Sequence, residues 1–272
     1  MENGIFANNV HSFLMTAANH IIYEQPLNER IRTFLRLEFL FLRINKALLG
    51  DSEQENRDVV DNLMSILSVF ERNDLKSEII KELERLISAL SVLEGSPGVD
   101  SQMLEKLLFE LDQIIDSLHI NKAALGQQLR DSDFLCGIRQ RSSIPGGTCD
   151  FDIPSYHFWL QHVDFATRKR QLLAWSGQLS HIHNAIVTTL HLIRQSTEFS
   201  PATALSGFYH HNLDGNQPNQ LIRIQIPSEA SYFPEISAGK HRFTVRFMHF
   251  DIEKRSQQAN EEIKFSLSCC SI

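Results

Sequence analysis

The residues with the clearest capacity for chemistry are two arginines on one predicted strand. In the stretch 240–251, KHRFTVRFMHFD, apolar and polar residues alternate, which is typical of a half-buried β-strand. The predicted inward row is Phe243, Val245 and Phe247, and the predicted outward row is Arg242, Thr244, Arg246 and Met248. The protein has a net charge of -7. Two arginines on one exposed strand face therefore indicate a site for an acidic partner.

The histidines do not have the spacing of a metal site. His181 and His183 lie two residues apart on a predicted helix, about 200° apart around its axis, so they cannot share a metal ion. The sequence contains no HExxH motif and no Cys/His ligand pattern. We predict that the protein has no metal site and needs no cofactor.

The one glycine doublet, in Ile144-Pro-Gly-Gly147, predicts a structural turn. It lacks the lysine of a phosphate-binding loop, and the chain has no GxSxG motif. Cys149 follows this turn and leaves one enzymatic alternative open, in which a deep pocket holds Cys149 beside a histidine. We predict that the protein is not an enzyme.

Composition narrows the class of protein further. A net charge of -7 argues against general nucleic-acid binding, which requires a basic surface. No run of eighteen apolar residues occurs, so we expect no membrane span. The N-terminal twenty residues lack the basic and apolar regions of a signal peptide. The cysteines, which are Cys136, Cys149, Cys269 and Cys270, form no CxxC pair and indicate reduced thiols in a cytoplasmic protein.

Apolar residues recur at helical spacing through the first two thirds of the chain. The strongest pattern, residues 28–49, begins at a capping Asn28 and is apolar around much of its circumference. The pattern of 75–93 is close to a coiled-coil seam. Further predicted helices cover 58–71, a segment capped by Asp100, a short pair across 121–141, 154–163, 165–175 and 177–196. We predict that helices within 28–118 form a homodimer interface.

Strand patterns take over after residue 199, which predicts an α+β protein. The predicted strands are 205–209, 221–226, the arginine strand and 263–267. We expect the last three to form an antiparallel meander, with one face on the helices and Arg223, Arg242, Arg246 and Lys264 on the other. The predicted domains are a disordered or additional N-terminal extension (1–20), a helical domain (21–198) and a small β domain (199–272). Residues 21–26 are a candidate edge strand of the β domain.

The basic face also has other interpretations. The arginines of a polar strand face are often simply solvated, or paired with acids on a neighbouring strand. A module that binds nucleic acid or another anionic ligand is the alternative function. Aromatic side chains beside the arginines would favour it, because bases stack on them. We expect the outer face to lack aromatic residues, and so predict no nucleic-acid partner.

Blocks of sequence from about Ile21 to Cys270 resemble one known family. They include YEQPLNE (23–29), RTFLRLEF (32–39), VFER (69–72), EIIKELE (78–84), PGVD (97–100), RQRSSIPGG (139–147), FDIP (151–154), LIRQS (192–196), GFY (207–209), RFTVRFM (242–248) and the double cysteine. In this order they are similar to the ZapD (YacF) family of bacterial cell-division proteins. The extension before Met15 and the long 210–219 turn depart from the family pattern.

The resemblance implies a dimeric, non-enzymatic protein of the cytoplasm, recruited to the division site at midcell. Proteins of this family bind the C-terminal tail of FtsZ, bundle FtsZ protofilaments and reduce FtsZ GTPase turnover. The fold implied is a helical domain with a small β domain. The basic-pocket positions of the family fall on Arg72, Arg242 and Arg246. Further candidates beside them are Arg223, Lys264, Met248 and Lys240.

Overall fold

The computed structural model describes residues 19–72, 74–120 and 123–272, and of Arg72 only the backbone is described. The predicted extension 1–20 therefore lies outside the described residues except for its last two. The chain divides into two compact units. One is helical and contains the described residues of Arg32–His191, and the other contains Leu192–Ile272 together with residues 19–31. We call these the helical unit and the β unit.

The helices follow the predicted periodicity closely. In chain order they are α1 (Glu29–Ala47), α2 (Glu53–Arg72), α3 (Leu75–Ser91), α4 (Ser101–Ile120), α5 (Gln127–Arg130), α6 (Asp133–Ser142), α7 (Pro154–His162), α8 (Phe165–Gly177) and α9 (Ser180–Gln195). Two predicted caps are confirmed. The Ile31 amide donates to Asn28 Oδ1 at 2.9 Å, and the amides of Gln102 and Met103 donate to Asp100 Oδ1 at 3.0 and 3.1 Å.

Helix α1 buries one stripe of its apolar surface and leaves part of the rest exposed. The buried stripe consists of Ile31, Phe34, Leu37, Phe41, Ile44 and Ala47. Phe39 remains 58% exposed and Leu42 49% exposed. Large apolar side chains are exposed on α4 as well, at Met103 and Phe109. Single exposed apolar residues are common on soluble proteins, so these four carry weight only together with other observations.

We expect His183 to make the stability of the helical unit depend on pH. Its ring lies 4.5 Å from that of Phe41, and burial lowers the pKa of His183 below its ordinary value near 6.5. The unfolded chain then binds the proton more readily. The stability that neutral His183 contributes is fully present above the pKa of this residue in the unfolded chain. It is lost as the pH falls through the lower pKa of His183 in the folded protein. We expect the denaturation midpoint to decrease when the pH is lowered from 7.5 to 5. In a His183→Phe variant this decrease should be smaller.

Tryptophan fluorescence can follow this transition, because Trp159 and Trp175 both belong to the helical unit. The pKa of His181, on the same helix, is also lowered, by burial and then by Lys76. Some slope will therefore remain in the His183→Phe protein. A His119→Phe variant, changed at an exposed histidine of α4, is the matched control. Equal slopes in all three proteins would contradict the assignment to His183.

The described residues of the β unit form two antiparallel sheets. Its strands are β1 (His20–Pro26), β2 (Ser200–Ala204), β3 (Phe208–Asn212), β4 (Asn219–Pro227), β5 (Tyr232–Ala238), β6 (Arg242–His249), β7 (Gln257–Gln258) and β8 (Ile263–Ser271). The first sheet has the order β1-β4-β8-β2, and the second has the order β3-β6-β5 with β7 pairing to β6. One buried cluster contains Ile222 and Ile224 of β4, Phe243 and Phe247 of β6, and Phe265 of β8. The two sheets thus pack face to face.

The predicted meander is wrong. Strands β4 and β8 pair with each other in the first sheet, whereas β6 lies in the second. The face predicted to pack on helices instead packs on the other sheet, because the alternating apolar rows of β4, β6 and β8 all enter the shared cluster. Consecutive strands often pair, but here the chain crosses from the first sheet to the second after β4 and returns to the first at β8.

The predicted strand 205–209 is also wrong in its position. Strand β2 ends at Ala204 and β3 begins at Phe208. Between them Ser206 and Gly207 have φ values of 51° and 67°. A Cβ on Gly207 would lie 2.3 Å from the carbonyl oxygen of Ala259, so glycine is required here. The chain therefore turns within the apolar run that had suggested one strand.

Candidate functional site

The outer face of the second sheet carries Arg242 and Arg246 in its middle strand. The alternation predicted for β6 is confirmed, since Phe243, Val245 and Phe247 are fully buried while both arginines are exposed. Directly opposed residues of antiparallel strands point to the same face. The register therefore places Asn212 beside Arg242, His210 and Ser237 beside Thr244, and Phe208 and Glu235 beside Arg246. We call this surface the arginine face.

Neither arginine of this face is engaged by the part of the chain that the structure describes. Among the described residues, no hydrogen bond or ion pair involves the guanidinium of Arg242 or Arg246. Glu235 is directly opposite Arg246 and is also exposed, yet the two form no ion pair. Planar guanidinium groups with free donors bind carboxylates in a bidentate manner. This face can therefore accept an acidic ligand without first breaking an internal contact.

One end of the arginine face is apolar, and the expectation that the face lacks aromatic residues is wrong. Phe208 lies opposite Arg246 and is 42% exposed. In the next row Met248 lies opposite Phe233, and both are half-buried. Sequence reasoning missed Phe233 because Pro234 interrupts the alternation of β5. The strand-forming residues of Tyr232–Ala238, which lie between turn residues, could have predicted β5.

A shallow groove continues from this apolar end. It has a volume of about 530 Å³ and is lined by Tyr23, Ala230, Ser231, Tyr232, Phe233 and Phe250. All six residues belong to the β unit. Phe250 is 71% exposed, and the Tyr232 ring packs at 5.6 Å against buried Phe247. The groove is therefore an aromatic surface supported by the sandwich core.

Two of the other predicted basic residues, Arg223 and Lys264, lie on a different sheet from the arginine face. Arg223 and Lys264 lie on the outer face of the first sheet, so the single basic sheet face predicted with Arg242 and Arg246 is wrong. Lys240 is exposed in the turn before β6. Arg72 ends α2 in the helical unit, and its side chain lies outside the described groups.

Arg223 takes part in a half-buried ion cluster that joins β1, β4 and the last turn of α9. Its Nε donates to Glu24 Oε1 at 3.0 Å, and Arg194 donates to the same carboxylate through two nitrogens at 2.9 and 2.8 Å. Arg223 Nη1 also donates to the carbonyl oxygen of Arg194, and its guanidinium lies 4.9 Å from the Phe199 ring centre. The donors of Arg223 therefore serve the fold, unlike those of Arg242 and Arg246.

The surroundings of the cysteines do not resemble a nucleophilic site. Cys149 donates to Asp152 Oδ2 at 3.2 Å, and the nearby His157 is paired with Asp150. Burial raises the pKa of Cys269 to about 11, which leaves almost no thiolate at neutral pH. The pKa of the buried Cys270 is also raised by burial. Within the described ranges, no group of three or more His, Cys, Asp or Glu residues could hold a metal ion.

None of the helices that the structure describes is long and apolar enough to cross a membrane. The architecture is that of an α+β protein, with a helical unit and a two-sheet β unit. Comparison with known proteins then identifies the family. The sequence model of ZapD, described as a cell division protein, matches residues 35–246. The chain therefore belongs to the ZapD family of cell-division proteins.

Curated relatives agree over almost the whole chain. The cell division protein ZapD of Methylococcus capsulatus is 38% identical over 252 residues, which cover 93% of this chain and 98% of the relative. ZapD proteins from an Escherichia coli strain and from Shigella dysenteriae are 38% and 37% identical over 250 residues, which cover 92% of this chain and 98% of each relative. A role in cell division follows from this membership.

Proposed function

We propose that this protein binds the acidic C-terminal tail of FtsZ through the arginine face and cross-links FtsZ protofilaments as a homodimer. The observation that supports the proposal most is the pair of unengaged arginines, Arg242 and Arg246, on one strand of an acidic protein. Arg72 of the helical unit is proposed as a third contact. Lys240, Met248, Arg223 and Lys264 are proposed as secondary contacts, although Arg223 already binds Glu24.

Bundling follows from two weak contacts acting together. An exposed arginine–carboxylate contact contributes modest affinity and is weakened by salt. A two-fold dimer carries two such faces, and a filament presents many tails, so the second contact forms at a high effective concentration. A dimer can bridge two filaments, whereas a monomer can only decorate one. Bundling slows filament turnover and so lowers GTPase flux, without any chemistry by this protein.

The dimer is proposed to form through helices within 28–118. The support is the apolar pattern of 28–49 around much of the helix circumference, together with exposed apolar side chains, namely Phe39 and Leu42 of α1 and Met103 and Phe109 of α4. Charged side chains are expensive to bury and apolar ones favourable, so such residues suit a subunit interface. The proposed homodimer acts in the cytoplasm, at the division site at midcell. It is proposed to need no cofactor and to have no membrane partner.

The test is co-sedimentation with polymerised FtsZ. We expect FtsZ and this protein to pellet together at low speed, which collects bundles but not single filaments. An excess of a synthetic peptide of the FtsZ tail should return FtsZ to the supernatant. Raising the salt concentration should have the same effect. A protein that remains dimeric and leaves FtsZ in the supernatant at low salt would refute the proposal.

The exposed Phe208 beside Arg246 also favours one other function, a module for single-stranded nucleic acid or another anionic ligand. The net charge of -7 opposes it. Fluorescence anisotropy with a labelled single-stranded oligonucleotide distinguishes the two. Binding to the oligonucleotide without binding to FtsZ would establish the alternative function.

A further inference from the structure

We propose that the arginine face recognises an extended peptide by a spaced pattern, with two carboxylates and then one large apolar side chain. The pattern deepens the function proposed above and rests on it. Its basis is the strand register, which places an apolar end beside the two arginines. The ligand is an acidic peptide lying along β6.

The spacing follows from strand geometry. Arg242 and Arg246 lie four residues apart on one face, or about 13 Å at 3.3 Å per residue. Met248 follows after about 7 Å more. An extended peptide has the same rise and the same alternation of faces. It can therefore match the row with acidic residues four positions apart and an apolar residue two positions beyond the second.

The apolar residue of the peptide has an apolar surface to pack against at this end of the face. Phe208 adjoins Arg246 in one row, and Phe233 adjoins Met248 in the next. Phe233 also lines the groove of about 530 Å³ that extends to Phe250. A phenylalanine or leucine side chain of the peptide would lose exposed surface against these residues, while its neighbouring carboxylate meets Arg246. A purely acidic peptide gains only the second of these contacts.

Glu235 adds a specificity element of the opposite sign. Its carboxylate lies across from Arg246 on the same face and is exposed. It repels an incoming carboxylate and competes for the guanidinium. Replacing it by glutamine keeps the shape and removes the charge. The Glu235→Gln protein should therefore bind an acidic peptide more tightly, an effect that damage to the fold cannot produce.

Synthetic peptides test the pattern directly. The first probe is a ten-residue peptide of serine and threonine with aspartate at positions 2 and 6 and phenylalanine at position 8. A second peptide has the same composition with phenylalanine at position 7, which turns it to the other face. The reversed pattern, with phenylalanine at 3 and aspartate at 5 and 9, covers the opposite chain direction, and moving its phenylalanine to position 4 gives its mismatch. Isothermal titration calorimetry at low salt measures each affinity.

We expect one direction of the matched pattern to bind about tenfold more tightly than its shifted counterpart. Phe208→Ala and Phe233→Ala should each remove most of this difference, and Glu235→Gln should raise affinity about two- to fivefold. Phe151→Ala, at a phenylalanine of the helical unit that is 83% exposed, is the matched control and should change nothing. Phe233→Leu should restore part of the preference if Phe233→Ala lowers stability.

The two proposals fail in distinguishable ways. If FtsZ is bundled and its tail peptide competes, but matched and shifted peptides bind equally or not at all, the spaced pattern is wrong and the FtsZ function stands. The pattern would also be overturned if folded Phe208→Ala and Phe233→Ala proteins kept the wild-type preference for the matched peptide over the shifted one. If FtsZ is not bound but the matched peptide is preferred, the pattern stands and the named partner is wrong.

Discussion

Reversing both charges of the arginine face, with Arg242→Glu and Arg246→Glu together, is expected to abolish FtsZ bundling. Each exposed arginine–carboxylate contact contributes up to about 1 kcal/mol, and the introduced carboxylates add repulsion against those of the ligand. We expect the affinity for the tail peptide to fall at least about 100-fold, or roughly 2.7 kcal/mol. Because a dimer loses both sites at once, its avidity for filaments should disappear with it.

Two other charge reversals make the result specific. Arg255→Glu changes an exposed arginine in the loop after β6 and controls for net charge. Lys264→Glu changes the outer face of the first sheet. We expect Arg255→Glu to bundle FtsZ nearly as well as wild type, and Lys264→Glu, at a proposed secondary contact, to lose much less bundling than the Arg242/Arg246 variant. If the Arg242/Arg246 variant is folded, dimeric and still pellets FtsZ, the arginine face is a solvated surface. If Lys264→Glu is the variant that fails, the site belongs to the first sheet.

Removing the carboxylate of the ion cluster, with Glu24→Ala, is expected to give the largest loss of stability in the β unit among single charge changes. The side chains of Arg194, Arg223 and Glu24 are only 11%, 15% and 19% exposed. Without Glu24, two half-buried guanidinium groups lose their shared partner. Removing one member of a fully buried pair costs about 3–5 kcal/mol, and partial exposure lowers this to about 2–3 kcal/mol.

The measurement must report on the β unit itself. Both tryptophans lie in the helical unit, so fluorescence does not follow the loss. Hydrogen exchange read by mass spectrometry on peptides covering β1 and β4 does. We expect faster exchange there in Glu24→Ala than in Glu253→Ala, which changes an exposed loop carboxylate. Equal protection of β1 in the two variants would show that the cluster contributes little.

The sequence predicted features governed by near neighbours and missed those governed by distant pairing. The helical stripes, the Asn28 and Asp100 caps and the alternation of β6 depend on residues a few positions apart, and all appear in the structure. Which strand pairs with which depends on residues far apart in the chain. Alternation places a side chain in or out of a core and cannot say which sheet supplies the opposite wall.

The same distinction applies to the candidate site. The outward direction of Arg242 and Arg246 followed from period two, whereas the engagement of Arg223 did not. Glu24 binds Arg223 across a separation of 199 residues, so no local pattern could separate this arginine from the other two. Phe233 escaped notice because its strand contains Pro234. The aromatic end of the face thus became visible only when the register of β5 and β6 was known.

The pairing of β1 with β4 has a consequence for how the molecule is made. A ribosome delivers β1 before the whole helical unit, and β4 almost two hundred residues later. During that interval β1 has no partner in its sheet, while the helical unit between them already has the short-range contacts that allow fast folding. Strand β8 then joins β4 to β2 and is delivered last of the four. The first sheet should therefore form late in synthesis. Chaperones that shield unpaired strand edges should be needed most in the interval between the synthesis of β1 and that of β4.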